Sequence, residues 1–208
     1  MIDAASFAAA WRALGASNDG ADVHRRLIAC WSEKQRHYHT LQHLRECFEQ
    51  LGTVRALMQR PAEVAIALWF HDAFYDPTRE DNELRSADWA REAQVAAGIA
   101  QAAAQRVHDM IMATVEHGPQ QGVDAQLLVD IDLSIFGADH ARFDESDEQV
   151  RREYIHIPEA DWRVGRRRML SGFLDRPRLY GTEHYYAMLE SRARDNIERA
   201  LSRLDRGQ

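Results

Sequence analysis

Cysteine is scarce in this chain: only two of 208 residues are cysteine, Cys30 and Cys47, and neither belongs to a C-x-x-C pair. A disulfide framework or a thiolate zinc site is therefore not expected, and a reducing compartment suits the chain. Positive charge is also in deficit, with 26 Lys and Arg against 33 Asp and Glu and a formal net charge of −7. A surface with that balance does not attract nucleic-acid polymers or anionic membranes. No apolar run approaches the roughly 18 residues needed to span a bilayer. The opening stretch MIDAASFAAAWRALG lacks a basic region and is interrupted by Asp3 and Trp11. It reads as an amphipathic helix rather than a signal peptide. The expectation is a soluble cytoplasmic protein.

Strand signals are missing as well. Segments of helical periodicity follow one another, separated by short Gly, Pro, Asn and Asp punctuation. A helix is expected from about His39 to Leu57. Pro61 suits the first turn of the next one, because the missing N–H would be unpaired there anyway. That helix, PAEVAIALWFHDAFY, is apolar on most faces and belongs at the centre of a core. Later helices are expected over NELRSADWAREAQVAA, AAAQRVHDMIMATVEH and AQLLVDIDLSIF, the last ending at Gly137 as a left-handed cap. Three more cover about 139–156, 158–175 and 182–205. With no repeat or evident linker, the chain reads as one all-α domain over residues 1–208, with about nine or ten helices.

What is present is a pattern of histidine and aspartate. RHYHTLQHL carries His37, His39 and His43, and the apolar run of the central helix ends in His71-Asp72. His39 and His43 are one helical turn apart and would share a face. Buried polar groups at the end of an apolar helix need compensation. A divalent ion held by His43, His71 and Asp72 would supply it. A fourth oxygen ligand is offered by Asp130 or Asp132, which lie about 200° apart on a helix, so only one can face the ion. Asp132 shares its face with Leu128, Ile135 and Phe136, whereas Asp130 lies nearer Gln126 and Ser134. The carboxylate in the apolar stripe has the greater need of a cation, and Asp132 is the expected ligand.

The order H…HD…D on an all-α chain resembles the HD superfamily of metal-dependent phosphohydrolases. The wider sequence is similar to a bacterial branch described as predicted metal-dependent HD phosphohydrolases. The resemblance runs through RHYHTLQHL, FHDAFYD, DNELRSA, ATVEH, DIDLSIFG, VRREY and GRRRML. Lys34 departs from it, at a place where that branch often has proline. The resemblance implies His43, His71, Asp72 and Asp132 as metal ligands. The Tyr38-His39…His43 arrangement also resembles cyclic-nucleotide phosphodiesterases, which implies His39 as proton donor to the leaving oxygen.

A mixed nitrogen and oxygen set with open positions suits Mn²⁺, Fe²⁺, Ni²⁺, Co²⁺ or Mg²⁺ better than a closed tetrahedral zinc site. Asp76 and Glu83 are candidates to position or deprotonate the attacking water. Some HD proteins add histidines, and His117 is the better candidate here for substrate phosphate or a second ion. Arginine binds phosphate bidentately, which singles out Arg36 and, from the late cluster, Arg166. The expected activity is metal-dependent hydrolysis of a phosphoester or phosphoanhydride in a small metabolite, with a nucleotide favoured. The alternative is a metal-bound nucleotide sensor or interaction protein without turnover. Oligomeric state is left open, a homodimer included.

Overall fold

The computed structural model describes residues 2–206, and among them there are ten α-helices and no strand. The all-α expectation holds. Two compact units are distinguished, Met1–Asp132 and Leu133–Gln208. Their boundary falls inside DIDLSIFG, a stretch with no linker composition.

The first unit contains α1 (Ala4–Ala13), α2 (Ala21–Trp31), α3 (Leu41–Val54), α4 (Pro61–Phe70), α5 (Asn82–Ala96), α6 (Gln101–Met112) and α7 (Val123–Asp132). Helix α4 is the axis of this unit and packs against α1, α3, α5, α6 and α7. Every residue from Glu63 to Phe70 is buried, as its all-round apolar sequence requires. Full burial of each large side chain here (Val64, Ile66, Leu68, Phe70) contributes about 1.5–3 kcal/mol. The one charge in the run is compensated: Arg106 of α6 donates to both oxygens of Glu63 at 2.8 and 2.5 Å. Asp124 of α7 accepts from the backbone N–H groups of Gln59 and Arg60 at 2.8 and 2.9 Å, which fastens the entry to α4. Pro61 stands in the first turn of α4 as expected.

Helix α3 starts at Leu41 rather than His39. Thr40 is its N-cap, in extended backbone, with its hydroxyl accepting from Gln42 N–H at 3.2 Å. Threonine favours that position because its oxygen satisfies one orphan donor of the first turn. His39 therefore lies in the turn before the helix, and the shared helical face with His43 is not formed. At the other end, α3 stops at Val54 and a short 3₁₀ turn covers Arg55–Leu57.

In the second unit a 3₁₀ segment, Leu133–Gly137, precedes α8 (His140–Glu153), α9 (Glu159–Leu174) and α10 (Glu183–Arg206). Gly137 is not a left-handed cap: among the described residues the glycines with positive φ are Gly15, Gly20, Gly98 and Gly122. Close approach explains it instead, since a Cβ there would meet Leu189 Cβ at 2.6 Å and Tyr180 Oη at 3.0 Å. The core of this unit is built from Phe143, Leu170, Tyr180, Tyr185 and Ile197. Buried Glu190 accepts from the N–H of Leu179 at 3.1 and 3.0 Å and from Tyr180 N–H at 3.3 Å.

Candidate metal centre

Three helix-bound segments of the first unit bring their polar ends to one point. His43 projects from the first turn of α3, His71 caps the C-terminus of α4 with Asp72 following, and Asp132 ends α7. His43 and His71 are 2% and 1% exposed. Their Nε2 atoms lie 3.2 Å apart. Asp132 Oδ1 is 3.1 Å from His43 Nε2 and 3.5 Å from His71 Nε2. Asp72 Oδ2 is 3.2 Å from His71 Nε2 and 3.8 Å from His43 Nε2. An ion about 2.0–2.2 Å from its nitrogen and oxygen donors leaves adjacent donors about 3.0–3.6 Å apart. The observed separations fall on or just outside that spacing, so the donor set fits a divalent ion.

The orientation of His71 follows from one bond. Its Nδ1 lies 2.8 Å from the carbonyl oxygen of Leu68. A carbonyl can only accept, so Nδ1 carries the hydrogen and Nε2 faces the cluster. An outer bond of this type holds a ligating imidazole in its required tautomer. Packing helps: the Trp31 ring is 5.4 Å from the His71 ring and Tyr38 is 4.8 Å from His43.

The electrostatics show which charge is lacking. Burial alone would push the His71 pKa down, but the Asp72 and Asp132 carboxylates reverse this and raise it well above the usual histidine value. Burial likewise works against both carboxylates, yet the His71 charge, together with hydrogen bonds from His71 to Asp72 and from His117, His43 and His71 to Asp132, draws their pKa values down. Without an ion, a proton on His71 supplies the compensating positive charge. A divalent cation would substitute for it.

A thiol completes the group. Cys47 Sγ lies 3.7 and 3.8 Å from Nε2 and Nδ1 of His43. Donor atoms of His43, Cys47, His71 and Asp132 all fall within 4.8 Å of one another. Burial pushes the Cys47 thiol well up in pKa, and the Asp132 and Asp72 charges push it further. Sequence reading passed over this residue because it looked for paired cysteines. The usable signal was its spacing, one helical turn after His43.

Comparison of the chain with protein-family models, with curated proteins and with solved structures finds no match.

Other sequence-derived residues surround this centre in different ways. His39 is half-buried, stacked on Tyr75 with ring centroids 3.9 Å apart and 6.0 Å from the His43 ring. His117 has φ +48°, the only positive φ outside glycine among the described residues, a conformation usually costing about 1–3 kcal/mol. Its Nε2 meets Asp132 Oδ2 at 2.7 Å, so it addresses the outer oxygen of that carboxylate.

Arg36 is buried and acts inward. Its guanidinium donates to Asp72 O at 2.6 Å, Ala73 O at 2.9 Å, His39 O at 3.3 Å and Glu33 Oε2 at 3.0 Å. With its side chain 0% exposed, it ties the His39 turn to the Asp72 segment, a positioning role in place of the expected phosphate contact. Asp76 is engaged in a turn: its Oδ1 accepts from Thr78 N–H at 2.9 Å and Thr78 Oγ1 at 2.7 Å. Those bonds hold its carboxyl below the usual range. Glu83 stands in the first turn of α5, half-buried. Arg166, in the second unit, donates to Asp147 Oδ1 at 2.9 and 2.6 Å with its side chain 9% exposed.

Asp130 departs from expectation in one respect. Asp132 faces the cluster, although α7 ends there and Ile135 and Phe136 lie in the 3₁₀ segment that follows, and Asp130 is not on a polar side. It is 0% exposed and accepts from Gln126 Nε2 at 3.0 Å.

Proposed function

We propose that this protein is a metal-dependent phosphohydrolase acting on a small phosphorylated metabolite, with a nucleotide as the favoured substrate class. One observation carries the reading. The imidazoles of the cluster are buried, whereas the side chains of Asp72 and Asp132 keep 14% and 13% exposure. The centre is thus closed on its nitrogen side and accessible on its carboxylate side, the arrangement a site needs if water and substrate are to reach an ion. His43, His71, Asp72 and Asp132 would hold that ion, and Mn²⁺, Fe²⁺, Ni²⁺, Co²⁺ and Mg²⁺ are the ions considered. When bound, a divalent ion supplies Lewis acidity, activating water and neutralising phosphoryl charge.

The chain's own groups then have defined tasks. His71 presents Nε2 because Leu68 O holds its other nitrogen. His117 steadies Asp132 from the outer oxygen. His39, at the half-exposed edge and held at its backbone carbonyl by Arg36, is the proton donor to the leaving oxygen. Glu83 orients the attacking water in this reading.

A metal-bound nucleotide sensor without turnover is the second reading. It is favoured by the internal engagement of Arg36 and Arg166, which leaves neither as a ready phosphate ligand. A panel of nucleotides and sugar phosphates, assayed with Mn²⁺, Ni²⁺, Co²⁺ and Mg²⁺ in turn, decides between the two. Hydrolysis that falls roughly 10²–10⁴-fold in His39→Ala, with metal content retained, is expected. Nucleotide binding with no turnover under any metal would replace the enzyme by the sensor.

A further inference from the structure

The thiol of Cys47 has no task in the proposed hydrolysis, and its surroundings are unusual for a packing residue. It lies one turn after His43 on α3 and is 1% exposed. Other buried positions of α3, Leu44, Leu51 and Val54, carry aliphatic side chains. The Cys47 Sγ lies within 4.8 Å of the donor atoms of His43, His71 and Asp132. Its distance of 3.7 Å from His43 Nε2 suits a sulfur and a nitrogen on one ion, with bonds of about 2.3 and 2.1 Å and an angle a little above tetrahedral.

We infer that Cys47 is a sulfur donor of the metal centre and makes it selective for borderline divalent ions, of the Co²⁺, Ni²⁺ and Fe²⁺ class, over Mg²⁺. The chemistry is that of ligand softness. Mg²⁺ requires hard oxygen ligands in near-octahedral geometry and gains little from sulfur. Borderline ions gain from thiolate and imidazole together. On binding, the Cys47 S–H bond breaks, the proton passes to solvent, and the sulfur pair forms the bond to the ion. No electron is transferred. The inference rests on the metal centre of the proposed function and narrows its cofactor.

The test uses the full chain, made metal-free and titrated with Co²⁺, then with Mg²⁺. Co²⁺-loaded wild type should show a thiolate-to-cobalt charge-transfer absorption in the near ultraviolet. Cys47→Ser and Cys47→Ala should lose that band and bind Co²⁺ at least about tenfold more weakly, the lower end of what loss of even an outer-shell partner costs. Mg²⁺ affinity should be unchanged. The wild-type spectrum requires no variant to fold. Co²⁺ uptake without the band, or equal Co²⁺ affinity in wild type and both variants, overturns the role of Cys47 and leaves the metal centre standing. A wild type that takes up neither ion overturns both.

Discussion

Buried and half-buried carboxylates occur in both units, and those of the candidate centre are compensated differently from Glu63, which pairs with Arg106, and from three carboxylates of the second unit. In the second unit Asp144, Asp147 and Glu190 each have a guanidinium. Asp144 accepts from Arg199 at 2.9 Å and Arg203 at 2.8 Å, Asp147 from Arg166 at 2.6 Å, and Glu190 from Arg194 at 2.7 Å. In the first unit, Asp72 and Asp132 face imidazoles: His71 at 3.2 Å for Asp72, and His43 at 3.1 Å and His117 at 2.7 Å for Asp132. An arginine never gives up its charge at accessible pH, so the first kind of pairing is permanent and structural. An imidazole can lose its proton and accept a metal in its place. The difference separates a framework from an exchangeable site.

The comparison breaks most sharply if the exchangeable site is dismantled. His71→Ala or Asp72→Asn should lower divalent-ion affinity by more than about a hundredfold, beyond the 10–100-fold that outer-shell changes cost. Elemental analysis after metal loading and desalting measures this. Metal retained in both variants would return the cluster to a purely structural role.

A smaller effect is expected from pH. His71 must shed its proton to bind an ion, so affinity should fall by about tenfold per unit as pH drops for that proton alone, and by about a hundredfold per unit for an ion that also displaces the Cys47 proton. Stability of the metal-free protein follows from the same shifts. The raised His71 pKa contributes stability that is fully present below the unfolded value of 6.5 and is lost as pH rises through its folded pKa. The lowered Asp72 and Asp132 values contribute stability that is present above the unfolded value of 3.8 and is lost as pH falls through their folded pKa values. Metal-free protein should therefore lose thermal stability at the alkaline side, and ion-loaded protein should not. Calorimetry across pH with chelator and with Co²⁺ tests the sign. An unchanged alkaline limb would mean that no ion takes the place of the proton.

Asp130 sharpens the contrast from within the first unit. Asp130→Ala removes the acceptor for half-buried Gln126 and should cost about 0.5–1.5 kcal/mol, with metal content unchanged. Denaturant unfolding and elemental analysis of the same preparation check both halves. Loss of the ion would show that Asp130 supports the cluster through α7.

The smallest effect belongs to the exposed charges of the second unit. Arg152 and Glu148 lie 3.9 Å apart, with side chains 63% and 74% exposed. Arg152→Ala should change stability by less than about 0.5 kcal/mol. A larger loss in thermal unfolding would mean that the guanidinium network of this unit extends further than its buried members.

Much of the site was legible because its spacing follows helical geometry. His43 and His71-Asp72 lie near helix ends that the sequence places approximately, whereas the helix expected to run through Asp132 to Gly137 stops at Asp132 and gives way to a 3₁₀ segment. The 100° step of a helix allowed only one of Asp130 and Asp132 to face the ion, but the apolar stripe that singled out Asp132 does not continue past the end of α7, and Asp130 is the more deeply buried of the two. Errors arose where a side chain's partner lies far along the chain. Arg36 reads as a phosphate ligand because it is basic and beside the motif, but its acceptors, Asp72 O and Ala73 O, come from residues 36 and 37 positions away. His39 seemed to share a helical face with His43 until Thr40 took the cap between them.

Local chemistry in the sequence thus determined the all-α class, the central burial of α4 and the residue types able to hold an ion. Periodicity and capping act over a few residues and leave their mark in any short window. Tertiary structure alone decided that the Cys47 thiol meets the donors of His71 and Asp132, that Asp130 is fully buried, that His117 turns left-handed to reach Asp132, and that Gly137 is glycine because Leu189 and Tyr180 press on it. Each of these depends on which helices lie against which, and packing between residues distant in the chain has no signature in the local sequence.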